Sequence, residues 1–338
     1  MAGLLDIPAG LGPVRGRYAP SPTGALHVGN ARTALLAWLQ IRALGGAFVM
    51  RIEDLDRARN VKGGVEALLA DLKWMGLDWD EGPESGPPGH VAATEGPCAP
   101  YEQSRREAIY EAALARLAEK GRVFECFCSR AEIAAAASAP HGPQDDGPRY
   151  PGTCLRLDAA GLAPRRASGR KAALRFCAAP GPLTFEDGLH GKVTIDVAET
   201  VGDFVVRRAD GIHAYQLAVA VDDALMGITH VLRGDDLLGS TPRQLQILEA
   251  LGLPAPRYFH VPLMVGADGQ RLSKRKGDIN LGWLREHGVK PQRLVAELAR
   301  TCGLTDAKEI EPRELVAGFD VSKIARAPAG FDPARLSS

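Results

Sequence analysis

The chain has 338 residues, 45% hydrophobic and 24% charged, the range of a globular protein with a sizeable core. Lys+Arg and Asp+Glu both number 41, so the formal net charge is zero and a general electrostatic nucleic-acid binder is excluded; any RNA contact must come from a local patch. No run reaches the ~18 apolar residues that span a membrane. The first residues lack a basic start and a long apolar stretch, and six cysteines in a chain of this size make no disulfide scaffold, so a cytoplasmic protein with reduced thiols is expected.

In chain order, Val14–Tyr18 reads as a short strand and Pro20-Ser21-Pro22-Thr23-Gly24 as a turn. A helical pattern starts near His27, carries Ala31, Leu35, Trp38 and Leu39 on one side, and ends at Gly45-Gly46. Ala47–Ile52 reads as a buried strand, which completes a βαβ unit and implies a parallel sheet. Helices are expected over Val61–Met75 and Tyr101–Lys120, separated by a long Gly/Pro-rich loop, Glu81–Pro100. Phe124–Cys128 is strand-like, and Ser129 with Glu132 forms a capping box for an Ala-rich helix. Short strands and turns follow over Leu174–Val201, so the segment from Phe124 to about Gly202 reads as an insertion. The βα pattern is expected to resume with a strand at Phe204–Arg207, a helix at Ala214–Met226 and a strand at Thr229–Leu232. A helix capped by Ser240 runs to Ala250, then come a strand at Tyr258–Val265, a tight turn at Ala267–Gln270 and a mostly helical tail from Leu281. The fold class is therefore α/β, with a parallel sheet split by an inserted subdomain and a small helical C-terminal domain.

Two constellations carry chemistry. In Arg17–Asn30 the prolines and Gly24 turn the chain out of a strand, and His27 falls at the start of a helix. Such a terminus offers free N–H groups and a positive dipole end that suit phosphate. Gly29 leaves room for a ligand to approach, and Asn30 adds a donor. The same spacing equally serves a plain strand–helix connection with a surface histidine. Some 240 residues later, Arg271-Leu272-Ser273-Lys274-Arg275-Lys276-Gly277 follows the Gly269 turn. Lys and Arg in a loop can close over a polyphosphate, although a charge run taken alone is ordinarily a solvated face.

Together these motifs resemble the HIGH and KMSKS signatures of class I aminoacyl-tRNA synthetases, in the expected order, and the likeness is strongest to the glutamyl branch. That branch has runs similar to Arg17–Gly24, to Arg51-Ile52-Glu53-Asp54-Leu55-Asp56, to Tyr101, Gln103 and Ser104, and to Arg233-Gly234-Asp235-Asp236. The resemblance covers roughly residues 14–305. It implies a class I Rossmann-like catalytic domain in two halves, 13–123 and 203–265, with an inserted subdomain at 124–202. Residues 266–338 would be the KMSKS-like loop and a helical stem-contact domain. It implies ATP with Mg²⁺ bound through His27, Gly29, Asn30, Ser273 and Lys274, with His27 and Lys274 catalytic. L-Glutamate would lie against Arg17, Ala19, Ser21, Glu53, Tyr215 and Arg233. Charge logic agrees, because a substrate with two carboxylates and one ammonium needs two arginines and one acid. Which arginine takes which carboxylate stays open. The departures are Asn30 for the second histidine, Leu272 for methionine and Arg271 for the first lysine; Val219 and Leu237 stand where the ordinary glutamyl enzymes have asparagine and often tryptophan.

Cys126-x-Cys128, then Tyr150 and Cys154, can hold one structural Zn²⁺ with a further ligand. Free thiols fit the spacing as well, and His141 is the chemically ordinary alternative to Tyr150. The Cys, Cys, Tyr, Cys pattern resembles the glutamyl-queuosine tRNA(Asp) synthetase family, a short paralogue of the glutamyl enzymes, and so does the stretch around Val219. Only 63 residues (338 minus 275) follow Arg275, too few for a stem-contacting domain plus an ordinary anticodon-binding domain. The resemblance implies ATP-dependent formation of glutamyl-adenylate. Glutamate would then pass to queuosine at the wobble position in the anticodon stem-loop of tRNA(Asp), by a monomer without membrane attachment. A glutamyl-tRNA synthetase charging the 3′ end of tRNA(Glu) is the alternative.

Overall fold

The computed structural model describes residues 3–83, 96–136, 148–265 and 279–336. The 267–270 turn, Ser273, Lys274, His141 and most of the Glu81–Pro100 loop lie outside them.

The first βαβ unit forms as expected. Strand β1 (Arg15–Tyr18), helix α1 (Val28–Ala43) and strand β2 (Ala47–Met50) follow one another, and β1 pairs with β2 in parallel, Arg17 opposite Val49. His27 is the N-cap of α1 with extended backbone, and Gly45, at φ +65°, takes the left-handed conformation that ends it. Only glycine fits at position 16, since a Cβ there would stand 2.2 Å from the Ile41 side chain where α1 crosses β1. Alternation is clean along the strands. Phe48 and Met50 belong to one core, Val49 to another.

Next come α2 (Gly64–Trp74) and α3 (Glu107–Glu119). The helix expected from Tyr101 starts six residues later. Ile52 N–H donates to the Tyr101 carbonyl and accepts at its own carbonyl from Gln103 N–H, both at 2.9 Å. Tyr101–Gln103 is thereby drawn onto the continuation of β2, and the α-helix starts only after a 3-10 turn at Gln103–Arg105.

The middle of the chain holds β3 (Val123–Cys126), α4 (Arg130–Ala136), α5 (Ala159–Ala167), β4 (Ala173–Phe176), β5 (Leu183–Asp187), β6 (Gly191–Ile195), α6 (Val197–Thr200) and β7 (Phe204–Arg207). The capping box at α4 is present, with Ser129 N–H donating to Glu132 and Glu132 N–H to the Ser129 hydroxyl. Beyond lie α7 (Tyr215–Leu225), β8 (His230–Gly234), α8 (Thr241–Leu251), β9 (Arg257–Val261), β10 (Met264–Val265), α9 (Leu281–Glu286), α10 (Pro291–Arg300), α11 (Pro312–Val316) and β11 (Ala329–Gly330).

The main sheet has the order β2-β1-β8-β9-β5-β6, parallel except for the β5–β6 hairpin at its edge. Strands β3, β4 and β7 form a separate antiparallel sheet. Two strand placements therefore differ from expectation. Phe204–Arg207 does not resume the parallel sheet; it pairs with β4, and Phe204 stacks on Phe176 at 5.1 Å. The 183–195 hairpin joins the parallel sheet instead. Its half-buried alternation shows that one face is covered but carries no mark of which sheet covers it.

The helical tail packs on α1. Leu294, Val295, Leu298 and Leu315 share one core with Leu35, Leu36 and Trp38, while α3, α7 and α8 meet in a second. No helix among the described residues is long and apolar enough to cross a membrane.

Candidate functional site

In the sheet order, β1 lies between β2 on one side and β8 on the other, and the chain crosses in opposite directions to reach them. Clefts outside the carboxyl ends of parallel strands at such a switch point are where α/β sheets bind ligands. Arg17 near the end of β1, Glu53 just past β2 and Arg233 near the end of β8 all come to this edge. Tyr215, first residue of α7, joins them: burial raises its hydroxyl pKa, Glu53 adds to the rise, and Arg233 and Arg17 oppose it. Ala19 is half-buried beside this group and Ser21 is exposed on the turn.

Charge at this edge is balanced by residues to which the sequence reading gave no role in the site. Arg51 is fully buried; its Nη1 donates to Asp223 Oδ1 at 2.7 Å and its Nη2 to Glu53 Oε1 at 3.1 Å. Asp223 also accepts from Arg17 Nε at 3.2 Å and Nη2 at 3.4 Å. Burial works against the Asp223 charge, but Arg17 and Arg51 overcome it and hold its carboxyl below the usual range. Glu53 goes the other way, because burial raises it further than Arg51 and Arg17 can lower it. Behind them Asp222 accepts from Arg106 Nε at 2.7 Å, Gln103 Nε2 at 2.8 Å and the Tyr110 hydroxyl at 2.8 Å. The available signal was Asp222-Asp223 inside the otherwise apolar run of α7, since two acids on a buried helix demand cations nearby.

Arg233 is arranged differently. It is 4% exposed, and its donors go to neutral groups: Nε to His260 Nε2 at 3.0 Å, Nη1 to Gln244 Oε1 at 2.9 Å, Nη2 to Thr241 Oγ1 at 2.9 Å and to the Leu237 carbonyl at 3.4 Å. Among the described residues no carboxylate pairs with it. A guanidinium has one more N–H than these acceptors. Among the described residues, the site thus holds a desolvated positive charge with no anion beside it, an arrangement that can accept a carboxylate.

At the start of α1, His27 Nδ1 is buried and has no hydrogen-bond partner among the described residues. Among the described residues, a Cβ on Gly29 would meet only Met264, at 4.0 Å. The Asn30 side chain is exposed, and its carbonyl accepts from the Tyr18 hydroxyl at 3.3 Å. Asn280 forms an antiparallel bridge with His27, which joins the tail to this terminus.

The cysteines gather as the spacing suggested. The Sγ atoms of Cys126, Cys128 and Cys154 lie within 4.8 Å of one another, and Cys128 and Cys154 are 3.6 Å apart. Tyr150 Oη stands 3.5 Å from Cys126 Sγ and accepts from Cys154 N–H at 2.8 Å. Tetrahedral Zn–S bonds of about 2.3 Å put sulfurs roughly 3.8 Å apart, so the three cysteines are close enough together to hold a metal ion.

Comparison with known proteins agrees with this geometry. Residues 13–337 match the family model described as the catalytic domain of class I tRNA synthetases (E and Q). The chain is 52% identical over 314 residues to the glutamyl-Q tRNA(Asp) synthetase of Symbiobacterium thermophilum, covering 93% of this chain and 94% of that protein. With the glutamate–tRNA ligase 1 of Halorhodospira halophila it is 47% identical, covering 96% of this chain and 66% of that one. A crystal structure of glutamate-tRNA synthetase from Elizabethkingia anophelis superposes with a TM-score of 0.80 at 29% identity, over 96% of this chain and 69% of the other.

Proposed function

Because the chain belongs to the class I tRNA synthetases of the glutamyl and glutaminyl branch, we propose that it activates L-glutamate with ATP and transfers the glutamyl group to queuosine in tRNA(Asp). The observation that carries the acceptor is the 52% identity to a glutamyl-Q tRNA(Asp) synthetase along nearly the whole of both chains. The glutamate side rests on Arg233, whose buried charge calls for a carboxylate. Arg17, shared with Asp223, meets the other carboxylate less strongly. Glu53, destabilised by burial, gains from the substrate ammonium. Ala19, Ser21 and Tyr215 line the same pocket.

In the first step the α-carboxylate attacks the α-phosphate of ATP and pyrophosphate leaves. His27, Gly29 and Asn30 receive the phosphates at the helix terminus, together with Ser273 and Lys274 of the loop. Mg²⁺ accompanies ATP as part of the substrate. Positioning and preorganised charge do the work, so no covalent nucleophile is needed. In the second step a hydroxyl of the acceptor attacks the mixed anhydride and AMP leaves. The anticodon stem-loop would be recognised through its shape and an unstacked base. In this reading the protein acts as a cytoplasmic monomer, its catalytic part mainly in 13–123 and 203–265 with 124–202 inserted and 266–338 appended, except that the 183–195 hairpin belongs to the catalytic sheet and 204–207 to the inserted one.

The acceptor is tested with labelled glutamate on queuosine-containing tRNA(Asp), unmodified tRNA(Asp) and tRNA(Glu). Label is expected only on the first, and it should survive periodate treatment of the 3′ end. The 47% identity to a glutamate–tRNA ligase supports a second reading, and efficient 3′ charging of tRNA(Glu) would establish it instead.

We further infer that Cys126, Cys128, Tyr150 and Cys154 hold one structural Zn²⁺, which would pin β3 to the loop before α5. Protein purified without added metal should carry about one zinc per chain, and Cys154→Ala should reduce this and lower thermal stability. Metal-free protein of unchanged stability would refute the site.

A further inference from the structure

Behind Arg233 two further residues, His260 and Asp187, continue its hydrogen bonds into the sheet. Asp187, the last residue of β5, is 4% exposed, and its Oδ1 accepts from Leu189 N–H at 3.0 Å and His190 N–H at 2.9 Å. Its Oδ2 lies 2.6 Å from Nδ1 of the fully buried His260 on β9. An ionised carboxylate only accepts, so Nδ1 carries the proton and Nε2 keeps its lone pair. That lone pair meets Arg233 Nε–H at 3.0 Å. The opposite tautomer would set two donors against each other there. Burial holds the imidazole pKa down to about 4, against the pull of Asp187, so the ring stays neutral at physiological pH and adds no repulsion to Arg233.

With Nε fixed by His260, and Nη1 and Nη2 by Gln244 and Thr241, the plane of the guanidinium has one orientation. We propose that Asp187 and His260 are positioning residues that set the orientation of the Arg233 guanidinium and the direction of its remaining N–H, and so the affinity of the site for the substrate carboxylate. This rests on the reading of Arg233 as the carboxylate-binding group. It also gives the β5–β6 hairpin a task beyond closing the sheet edge.

The test is glutamate-dependent pyrophosphate exchange by the full chain, with KM for glutamate, KM for ATP, kcat and the thermal midpoint measured for each variant. Asp187→Asn puts an amide N–H₂ opposite Nδ1 while the retained oxygen keeps its backbone donors. The imidazole must then carry its proton on Nε2, facing Arg233. A rise of about tenfold or more in the glutamate KM is expected, with the ATP KM unchanged. His260→Phe keeps the ring and removes the acceptor, so it should act alike. His260→Gln can still accept from Nε and should lie nearer the wild type. Lower melting points with an unaltered glutamate KM would assign Asp187 and His260 a structural role only and overturn the proposal. Should Asp187→Asn not fold, the contrast between His260→Gln and His260→Phe decides alone. Arg233→Ala separates the two levels. If it leaves the glutamate KM unchanged, the reading of Arg233 falls; if it alone raises that KM, only the positioning proposal falls.

Discussion

Arg233→Ala is expected to lower kcat/KM for glutamate about a hundredfold in pyrophosphate exchange, with little change in the KM for ATP. The size follows from the environment. A hydrogen bond to a charged group contributes roughly 1.5–3 kcal/mol, and Arg233 has one N–H left to give a carboxylate. A buried guanidinium with only neutral protein partners loses none of that strength to a competing acid. About 2.8 kcal/mol corresponds to the stated factor at 1.4 kcal/mol per tenfold. The comparison that matters is with Arg17→Ala. Arg17 already shares its charge with Asp223, so the loss there should be smaller. A loss under tenfold for Arg233→Ala, in protein with an ordinary melting curve, would remove Arg233 from substrate binding.

Arg51→Ala should be the most destabilising single change near the pocket, by about 3–5 kcal/mol. Its guanidinium is fully buried and lies within ion-pair distance of Glu53, Asp222 and Asp223. Asp222 and Asp223 keep other cationic partners, Arg106 and Arg17. Glu53 loses its direct partner while remaining desolvated, and it is already the carboxyl that burial disfavours. The thermal midpoint should drop on the order of 10 °C. Glu53→Gln in the Arg51→Ala background should recover part of the loss, because it removes the stranded charge. A double-mutant cycle with no coupling between the two positions would contradict the network as described.

Much of this site can be read from the chain because local rules and global fold agree there. The prolines, Gly24 and the apolar run after His27 specify strand, turn and helix from nearest neighbours alone, and α1 starts and stops where its caps indicate. The cysteines are legible for a similar reason, since sulfur spacing is a short-range property and the capping box beside them fixes the next helix. The groups that tune the pocket are not legible. Asp223 meets Arg51 across 172 residues and His260 meets Asp187 across 73. The second pairing depends on which sheet the 183–195 hairpin joins, a choice that its half-buried alternation does not encode. Asp222-Asp223 looks like a polar stripe on a helix until the arginines of other elements surround it.

The bridge between His27 and Asn280 brings the start of the helical tail back onto the first turn of α1. Leu281 N–H donates to the Leu26 carbonyl at 2.9 Å, and at the other end Met264 sits under Gly29. The described residues on either side of 266–278, Met264 and Asn280, therefore meet the same helix terminus. A disturbance at Asn280 is felt at the first turn of α1 itself, so Asn280→Gly should slow adenylate formation although the residue lies outside the cleft between β1 and β8.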